Sequence, residues 1–306
     1  MFKPLHQQSL IGVISPAWIP VNERMEAGFK YLIQKGYRIK KGNNLSRING
    51  YFAGTDQERI NDLHDMFADP EVDLILCARG GWGGLRLVDK IDYDLITNNP
   101  KPLVGYSDIT TIQLAIWKKT SVPSFSGPML GVEMGKGILP FTEKHFWNQI
   151  RNEKSEYKYS LKNNGIQVKK KGKTEGILLG GCLSLVCHLL GTRYSPDYHK
   201  AILFIEDVGE KPYKIDRYLA HLKQAGVFDQ ISGLILGDFI DCEPEPGERS
   251  LTLDQIFDDY FAEVEFPVLT KFPYGHGDIK VTLPIGIRAY LDTEKSELLL
   301  TNPFYQ

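Results

Sequence analysis

The sequence predicts an α/β fold built on a parallel sheet, and three features of its first half indicate this. Short apolar runs alternate with helical spacing, as in Leu10–Ile14 followed by a pattern that begins at Val21 and stops at Gly36. The run Val72–Ala78 is the most continuously apolar of the first half, which is typical of a parallel strand covered on both faces. Glycine-rich or polar segments follow these runs, and α/β sheets bind ligands at the carboxyl ends of their strands.

The remaining elements of the first half continue this alternation. Tyr37–Lys40 is predicted to be an edge strand, and Thr55 with Glu58 forms a capping-box pattern. The helix that begins there is expected to end near Asp69. A further short helix is expected around Leu85–Ile91.

Length and composition are those of a soluble globular protein. The 306 residues include 42% hydrophobic and 24% charged residues, enough for one large domain or two of ordinary size. The net charge of -2, without a long block of one sign, gives no indication of a nucleic-acid or anionic-membrane partner. A small neutral or zwitterionic ligand fits this charge better.

Cysteine usage and hydropathy favour the cytoplasm. The four cysteines contain no CxxC pair, which favours a reducing compartment without a disulfide framework. No apolar stretch has the length of a transmembrane helix, and the N-terminal apolar run is too short for a signal peptide.

A change in composition predicts the domain organisation. Residues 153–175 are rich in Lys, Asn and Gly and poor in large aliphatic residues, so they are predicted to connect an N-terminal domain, 1–152, to a C-terminal domain, 176–306. The second half is predicted to contain these elements in order: a strand at Ile177–Gly181, a helix at Leu183–Leu190, a buried strand at Ala201–Ile205, an amphipathic helix at Tyr213–Gln224, a strand at Gly233–Leu236, and strands from Lys280 onward that turn at Asp292–Lys295.

The segment Pro102–Trp117, PLVGYSDITTIQLAIW, reads as a strand, a tight turn and a helix, with Ser107 in the turn. A serine placed there can be a nucleophile, with the first backbone N–H groups of the helix available to bind an oxyanion. Serine and aspartate before a helix are also the usual N-cap residues. The G-x-S-x-G pattern is incomplete because residue 109 is Ile109, so this segment alone leaves both interpretations open.

The sequence Arg79–Gly84, RGGWGG, follows the strand at 72–78 directly. It lacks the Gly-Lys-Ser/Thr ending of a P-loop, and the dinucleotide-binding spacing fails because residue 86 is Arg86. Glycines allow backbone N–H groups to approach a ligand, which suits an oxyanion hole. A flexible turn in which Trp82 packs against the fold is the alternative.

A serine nucleophile needs a base and an acid that orients it. Among the seven histidines, His276 differs because glycine flanks it on both sides in a loop, where an imidazole can face a cleft. Glu206 follows a predicted buried strand, and a strand end holds a carboxylate firmly. Ser107, Glu206 and His276 have the chain order of the α/β-hydrolase triad. A metal site that uses His276 and Asp278 is the weaker alternative, and no metal or cofactor motif was found.

Five motifs in order along almost the whole chain resemble the LD-carboxypeptidase family of serine peptidases. They are RGGWGG at 79–84, GYSD at 105–108, GGCLSL at 180–185, FIEDVGE at 204–210 with the PYKIDRYL that follows, and FPYGHGD at 272–278 with the later LPIG.

The resemblance implies a two-domain protein: an N-terminal parallel α/β domain, then a smaller β-rich C-terminal domain, with the active site between them. It implies the triad Ser107, Glu206 and His276. It also implies an oxyanion hole formed by the backbone N–H groups of Gly81 and Asp108.

For activity, the resemblance implies a cytoplasmic homodimer without cofactor that removes the terminal D-alanine from murein tetrapeptides during cell-wall recycling. A sister group cleaves microcin-type peptidyl-nucleotides, and RGGWGG looks more like the murein branch. In that case Trp82 would wall the substrate pocket. Arg79 would bind a substrate carboxylate, or else form a structural ion pair. A two-domain binding protein without turnover is the alternative from another class.

Overall fold

A computed structural model of the protein describes residues 2–151, 154–162 and 165–304, and the chain divides into two compact units. Unit 1 takes in Met1–Ser155, Val281–Gly286 and Asn302–Gln306. Unit 2 takes in Glu156–Lys280 and Ile287–Thr301. The chain therefore enters unit 2 twice and returns to unit 1 twice.

Unit 1 is an α/β unit. Its strands are β1 (Leu10–Ile14), β2 (Arg38–Lys41), β3 (Val72–Cys77), β4 (Leu103–Gly105), β5 (Ser124–Ser126) and, from far along the chain, β12 (Leu283–Ile285). Its helices are α1 (Asn22–Gln34), α2 (Asp56–Ala68), α3 (Tyr93–Asn98), α4 (Ile109–Thr120) and α5 (Pro140–Ile150), with a 3₁₀ turn at Gly84–Arg86 and a π-helical turn at Leu130–Met134.

The sheet of unit 1 has the strand order β12-β5-β4-β3-β1-β2. Strands β1 to β5 are mutually parallel, and only β12 is antiparallel to its neighbour β5. The central strand β3 is almost entirely buried, as its largely apolar sequence predicts. The parallel α/β sheet expected for the first half is thus confirmed, and the segments that follow β1, β3 and β4 all leave the sheet at its carboxyl edge.

Helix α2 illustrates how the local sequence sets a boundary. The side chain of Thr55 accepts a hydrogen bond from the backbone N–H of Glu58, and the carboxylate of Glu58 accepts one from the N–H of Thr55. This capping box satisfies two N–H groups that the first helical turn leaves without partners. The buried face of α2 then packs into the unit 1 core through Ile60, Leu63, Met66 and Phe67.

Unit 2 is built around one mixed sheet. Its strands are β6 (Glu156–Ser160), β7 (Gln167–Lys170), β8 (Lys173–Cys182), β9 (Ile202–Val208), β10 (Gly233–Ile240), β11 (Val268–Thr270), β13 (Ile287–Asp292) and β14 (Glu297–Thr301). Its helices are α6 (Leu183–Leu189), α7 (Pro212–Gln224), α8 (Val227–Gln230) and α9 (Leu253–Phe261).

The strand order of this sheet is β6-β14-β13-β8-β9-β10-β11-β7. Strands β8 to β11 are parallel and form its centre, whereas β13, β14 and β6 on one side and β7 on the other are antiparallel to their neighbours. An N-terminal α/β domain followed by a β-rich C-terminal domain is therefore the observed architecture.

Two predicted elements differ from the structure. The helix expected around Leu85–Ile91 is only a 3₁₀ turn at Gly84–Arg86, and the regular helix in this region, α3, begins later at Tyr93. Residues 153–175, predicted to connect the domains, contain the strands β6 and β7 and the start of β8 within unit 2. These strands are polar because β6 and β7 are edge strands with largely exposed residues, so they lack the apolar runs that reveal a buried strand.

Candidate active site

In unit 1, Ser107 occupies the tight turn between β4 and α4. Its backbone φ is 62°, in the left-handed region that costs a non-glycine residue about 1–2 kcal/mol. The side chain of Ile109 packs so closely against Gly105 that a Cβ on Gly105 would lie 3.0 Å from it. The turn is therefore strained, and a packed isoleucine stands where the G-x-S-x-G pattern has its second glycine.

The glycine loop after β3 lies directly against this turn. A Cβ on Gly80 would come 2.9 Å from the Ser107 Cβ and 3.3 Å from the backbone nitrogen of Asp108. Gly81, the next residue, has φ of 120°, which side-chain-bearing residues rarely adopt. The loop and the serine turn thus approach each other at a distance that only glycine at position 80 permits.

Asp108 does not cap helix α4. It adopts a helical conformation, its side chain makes no capping hydrogen bond, and its Oδ2 instead accepts a 2.7 Å hydrogen bond from the backbone N–H of Gly84. The cap suggested by the sequence is thus replaced by a bond across to the glycine loop. Burial raises the pKa of Asp108 to about 6, although the Gly84 N–H and the charge of Arg59 oppose this rise.

Arg79 and Trp18 form a small aromatic–cationic group at the same edge of unit 1. The Arg79 Nη1 donates a 3.3 Å hydrogen bond to the carbonyl of Ile19, and its guanidinium carbon lies 5.2 Å from the centre of the Trp18 ring. Trp18 also packs on Gly81, where a Cβ would lie 2.6 Å from the indole. Burial lowers the pKa of Arg79. Trp82, the other predicted substrate residue, is half-buried.

In unit 2, the structure brings Glu206 and His276 together. Glu206 lies within β9 with its side chain completely buried, and its Oε2 is 2.6 Å from Nδ1 of His276. A hydrogen bond from Nδ1–H to this carboxylate leaves Nε2 as the basic nitrogen of the neutral ring. The pair therefore has the arrangement of an oriented general base.

The loop that carries His276 is fixed by backbone contacts to β10. The N–H of Phe272 donates to the carbonyl of Leu236 at 3.1 Å, and the N–H of Asp238 donates to the carbonyl of Tyr274 at 2.8 Å. Gly275 has φ of 120°, and a Cβ on it would lie 2.6 Å from Oε2 of Glu206. The glycine before the histidine is thus required by the carboxylate that the histidine binds.

Burial and the ion pair act in opposite directions on His276. Burial favours the neutral imidazole, but the hydrogen bond to Glu206 and its negative charge outweigh burial, so the pKa of His276 lies above its ordinary value. Burial raises the pKa of Glu206, against the hydrogen bond with His276. Burial is the main cause that raises the pKa of the nearby Asp238 to about 6, and the negative charge of Glu206 adds to this rise. The positive charge of Lys280 partly opposes it.

Several features of these sites were not predicted from the sequence. The positive φ of Ser107 and the contacts of Trp18 depend on tertiary packing, for which the sequence has no local pattern. Arg59, whose side chain is completely buried beneath the glycine loop, does have a signal. It lies four residues before Leu63 and so occupies a core position of the amphipathic pattern of α2, where an arginine is unexpected.

Among the residues that the structure describes, no group of three or more His, Cys, Asp and Glu side chains is arranged to hold a metal ion. No helix among residues 2–151, 154–162 and 165–304 combines the length and the apolar character needed to cross a membrane.

The two family models that match the two halves of the chain define its class: the chain belongs to the LD-carboxypeptidase family. The family's N-terminal domain matches residues 11–127, and its C-terminal domain matches residues 175–291. The family resemblance drawn from the five sequence motifs is therefore confirmed, and the protein is a carboxypeptidase by family.

Individual members of this family are similar to the chain over almost its whole length. The chain is 38% identical to the probable murein peptide carboxypeptidase of Bacillus subtilis, covering 97% of this chain and 93% of that protein. It is 28% identical to the microcin C7 self-immunity protein MccF of Escherichia coli, over 98% of this chain and 95% of that one. The crystal structure of muramoyltetrapeptide carboxypeptidase from Oxalobacter formigenes superposes with a TM-score of 0.85 at 29% identity, over 95% and 97% of the two chains.

Proposed function

We propose that this protein is a serine-type LD-carboxypeptidase that hydrolyses the L,D-peptide bond between the diamino acid and the terminal D-alanine of murein tetrapeptides. The observation that carries the proposal is the 2.6 Å contact between Glu206 and His276, which forms an oriented base in a family of carboxypeptidases. The names of the relatives from B. subtilis and O. formigenes support the murein substrate.

In the proposed reaction, Nε2 of His276 takes the proton from Ser107 as Oγ attacks the carbonyl carbon before D-alanine. The backbone N–H groups of Gly81 and Asp108 bind the oxyanion of the tetrahedral intermediate. His276 then gives the proton to the amine of D-alanine, which leaves, and the shortened peptide remains as an ester on Ser107. Water, deprotonated by His276, hydrolyses this ester and restores the serine. Glu206 orients the imidazole and stabilises its charged form throughout.

The test is release of D-alanine from purified murein tetrapeptide, followed by mass spectrometry of both products. The proposal requires a tripeptide and free D-alanine in equal amounts. Cleavage at any other bond, or no cleavage while folded protein is present, would contradict it.

A second candidate is hydrolysis of peptidyl-nucleotides, because the similarity to E. coli MccF extends over almost the whole chain. Both activities can use the same catalytic groups. Competition of the murein tetrapeptide with an aminoacyl sulfamoyl adenosine on one preparation separates them by the ratio of kcat/KM values. A higher kcat/KM for the tetrapeptide than for the aminoacyl sulfamoyl adenosine supports the first proposal.

A binding protein without turnover is separated from both enzymes by a serine-reactive fluorophosphonate. Labelling of Ser107 that depends on His276, lost in His276→Ala, supports an enzyme. The cytoplasmic location, the homodimer and the substrate contacts of Arg79 and Trp82 belong to the same proposal. Sedimentation equilibrium tests the dimer, and the KM values of Arg79→Met and Trp82→Ala test the contacts.

A further inference from the structure

The peptide bond that joins Gly83 to Gly84 is held at both of its polar atoms by buried charged side chains. The carbonyl of Gly83 accepts a 3.2 Å hydrogen bond from Nη1 of Arg59. The N–H of Gly84 donates at 2.7 Å to Oδ2 of Asp108. One of these side chains comes from helix α2 and the other from the turn that carries Ser107, so this peptide links the glycine loop to both.

Steric contacts leave this part of the loop little freedom to move. Gly83 has φ of 130°, and a Cβ on it would lie 2.5 Å from Nη1 of Arg59. A Cβ on Gly84 would lie 2.6 Å from Oγ1 of Thr111 and 2.8 Å from the carbonyl oxygen of Asp108. The loop thus lies in van der Waals contact with the groups that bind its peptide.

Both terminal nitrogens of the Arg59 guanidinium have further partners. Its Nη1 also donates to the carbonyl of Pro16 at 2.6 Å, its Nη2 binds Asp56 at 2.5 Å, and its guanidinium carbon lies 4.6 Å from the centre of the Phe52 ring. Desolvation of a guanidinium costs several kcal/mol, and apolar side chains of similar volume are often at least as stabilising. The Nη1 atom of this completely buried arginine binds two loop carbonyls, those of Pro16 and Gly83, which points to a role beyond stability.

We propose that Arg59 and the carboxyl group of Asp108 are positioning residues, which fix the Gly83–Gly84 peptide and thereby aim the oxyanion-hole donors of Gly81 and Asp108. This inference rests on the proposed function for the identity of those donors. The carboxyl group of Asp108 links its own N–H donor to the loop that carries the Gly81 donor. Catalysis by such donors depends on preorganised geometry, and removal of one donor typically costs about 10²–10³ in kcat.

The test compares Arg59→Met, which keeps the length of the side chain but removes its donors, with Arg86→Met. Arg86 is a matched control because its guanidinium also binds the carboxylate of Asp56 and its guanidinium carbon lies 5.1 Å from the centre of the Phe52 ring, but its side chain is half exposed. The second comparison is Asp108→Ala with Asp108→Asn, whose amide oxygen can still accept the Gly84 hydrogen bond.

Two rates are measured on protein shown to be folded by circular dichroism: D-alanine release from murein tetrapeptide, and labelling of Ser107 by a fluorophosphonate, whose phosphoryl oxygen occupies an oxyanion hole. We expect Arg59→Met to lower kcat and the labelling rate about 10–100-fold with KM changed less than about twofold, and Arg86→Met to change either rate less than about twofold. Asp108→Ala should lose about tenfold or more, and Asp108→Asn less than about threefold.

Equal kcat and labelling rates in Arg59→Met and Arg86→Met would overturn the role of Arg59. Equal losses in Asp108→Ala and Asp108→Asn would overturn the role of the hydrogen bond to Gly84, and this pair carries the test if Arg59→Met does not fold. The proposed function fails separately: wild type then releases no D-alanine, while its labelling rate still exceeds that of Arg59→Met.

Discussion

Ser107 in unit 1 and His276 in unit 2 are held by different physical means. Backbone conformation fixes the position of Ser107: its own φ is 62°, and the neighbouring glycine loop leaves no room for a Cβ at position 80. A buried charge fixes the imidazole of His276: its Nδ1 lies 2.6 Å from Oε2 of Glu206, whose side chain is completely buried. Backbone geometry does not titrate, whereas the ion pair does, so the pH dependence of the reaction should come mainly from unit 2.

The largest expected effect is the removal of the proposed nucleophile. Ser107→Ala should lower kcat for D-alanine release by at least about 10⁴-fold, because the covalent route is lost while substrate binding remains. The measurement is single-turnover product release with enzyme in excess. Ser121→Ala is the matched control, since Ser121 is an exposed serine at φ of 57° in the same unit. Comparable losses in the two variants would mean that serine in a strained backbone, and not the Ser107 hydroxyl, matters.

Glu206→Gln should have the next largest effect and should change the shape of the pH profile. His276 must be neutral to act as a base, and its raised pKa places the acid limb of kcat/KM above the ordinary histidine value of about 6.5. Removal of the negative charge leaves burial as the main influence, which lowers the pKa of His276, so the limb should move to lower pH. We expect kcat/KM at its optimum to fall by about 10²–10⁴.

The profile is measured from pH 5 to pH 9. Asp278→Asn is the control because Asp278 is an exposed carboxylate in the His276 loop, where solvent screens its charge. An acid limb at the same pH in Glu206→Gln and wild type would contradict the assignment of the Glu206–His276 pair.

Backbone geometry in unit 2 gives a third, smaller effect. Gly275→Ala puts a Cβ 2.6 Å from Oε2 of Glu206, which should displace the carboxylate and lower kcat/KM about 10–100-fold with a loss of about 1–3 kcal/mol in the free energy of unfolding. Gly247→Ala is the control, since Gly247 also has a positive φ, 84°, but no atom lies within 4 Å of its Cβ position. A similar loss of activity in Gly247→Ala would remove the steric explanation.

The last prediction concerns unit 1, where the buried carboxyl group of Asp108 does titrate and should make the stability of the fold depend on pH. The pKa of the Asp108 carboxyl group is about 6 in the folded protein and about 4 in the unfolded chain. As the pH rises from about 4 to 6, the unfolded chain releases this proton while the folded protein retains it. The free energy of unfolding therefore decreases over this range. Asp108→Asn should therefore be stabilising by up to about 3 kcal/mol at pH 8, with the gain disappearing toward pH 4.

Urea unfolding at pH 4.5, 6 and 8 measures this difference. Asp89→Asn, at an exposed position of the same unit, should show no such trend. A gain in Asp108→Asn that is constant over the pH range would show that the carboxyl group does not titrate as described.

The sequence was informative where one residue pattern has one physical cause. The apolar run that became β3 and the capping box of Thr55 and Glu58 predicted their elements because burial and capping leave local signatures. The polar strands β6 and β7 leave none, since an edge strand pairs through its backbone whatever its side chains are.

The same distinction applies to the candidate site. Glycine on both sides of His276 and a carboxylate at the end of an apolar run were visible, and the structure places Glu206 and His276 in contact. The φ of Ser107 and the bond from Gly84 to Asp108 were not visible, because both depend on how the loop after β3 meets the turn after β4. An aspartate before a helix predicts a cap, and here tertiary packing gave it another partner.

The return of the chain to unit 1 at Val281–Gly286 has a consequence for biosynthesis. Strand β12 pairs with β5 through Leu283, Pro284 and Ile285, and it covers an edge of the parallel sheet that is otherwise open. On a ribosome, residues 156–280 must be made before that strand emerges. The nascent α/β unit therefore waits with the unpaired backbone of β5 exposed, a state that favours association with other chains. Chaperone binding to the nascent chain should thus increase with the number of residues between β5 and β12. A circular permutant that brings these two strands close in sequence should bind chaperones less during translation.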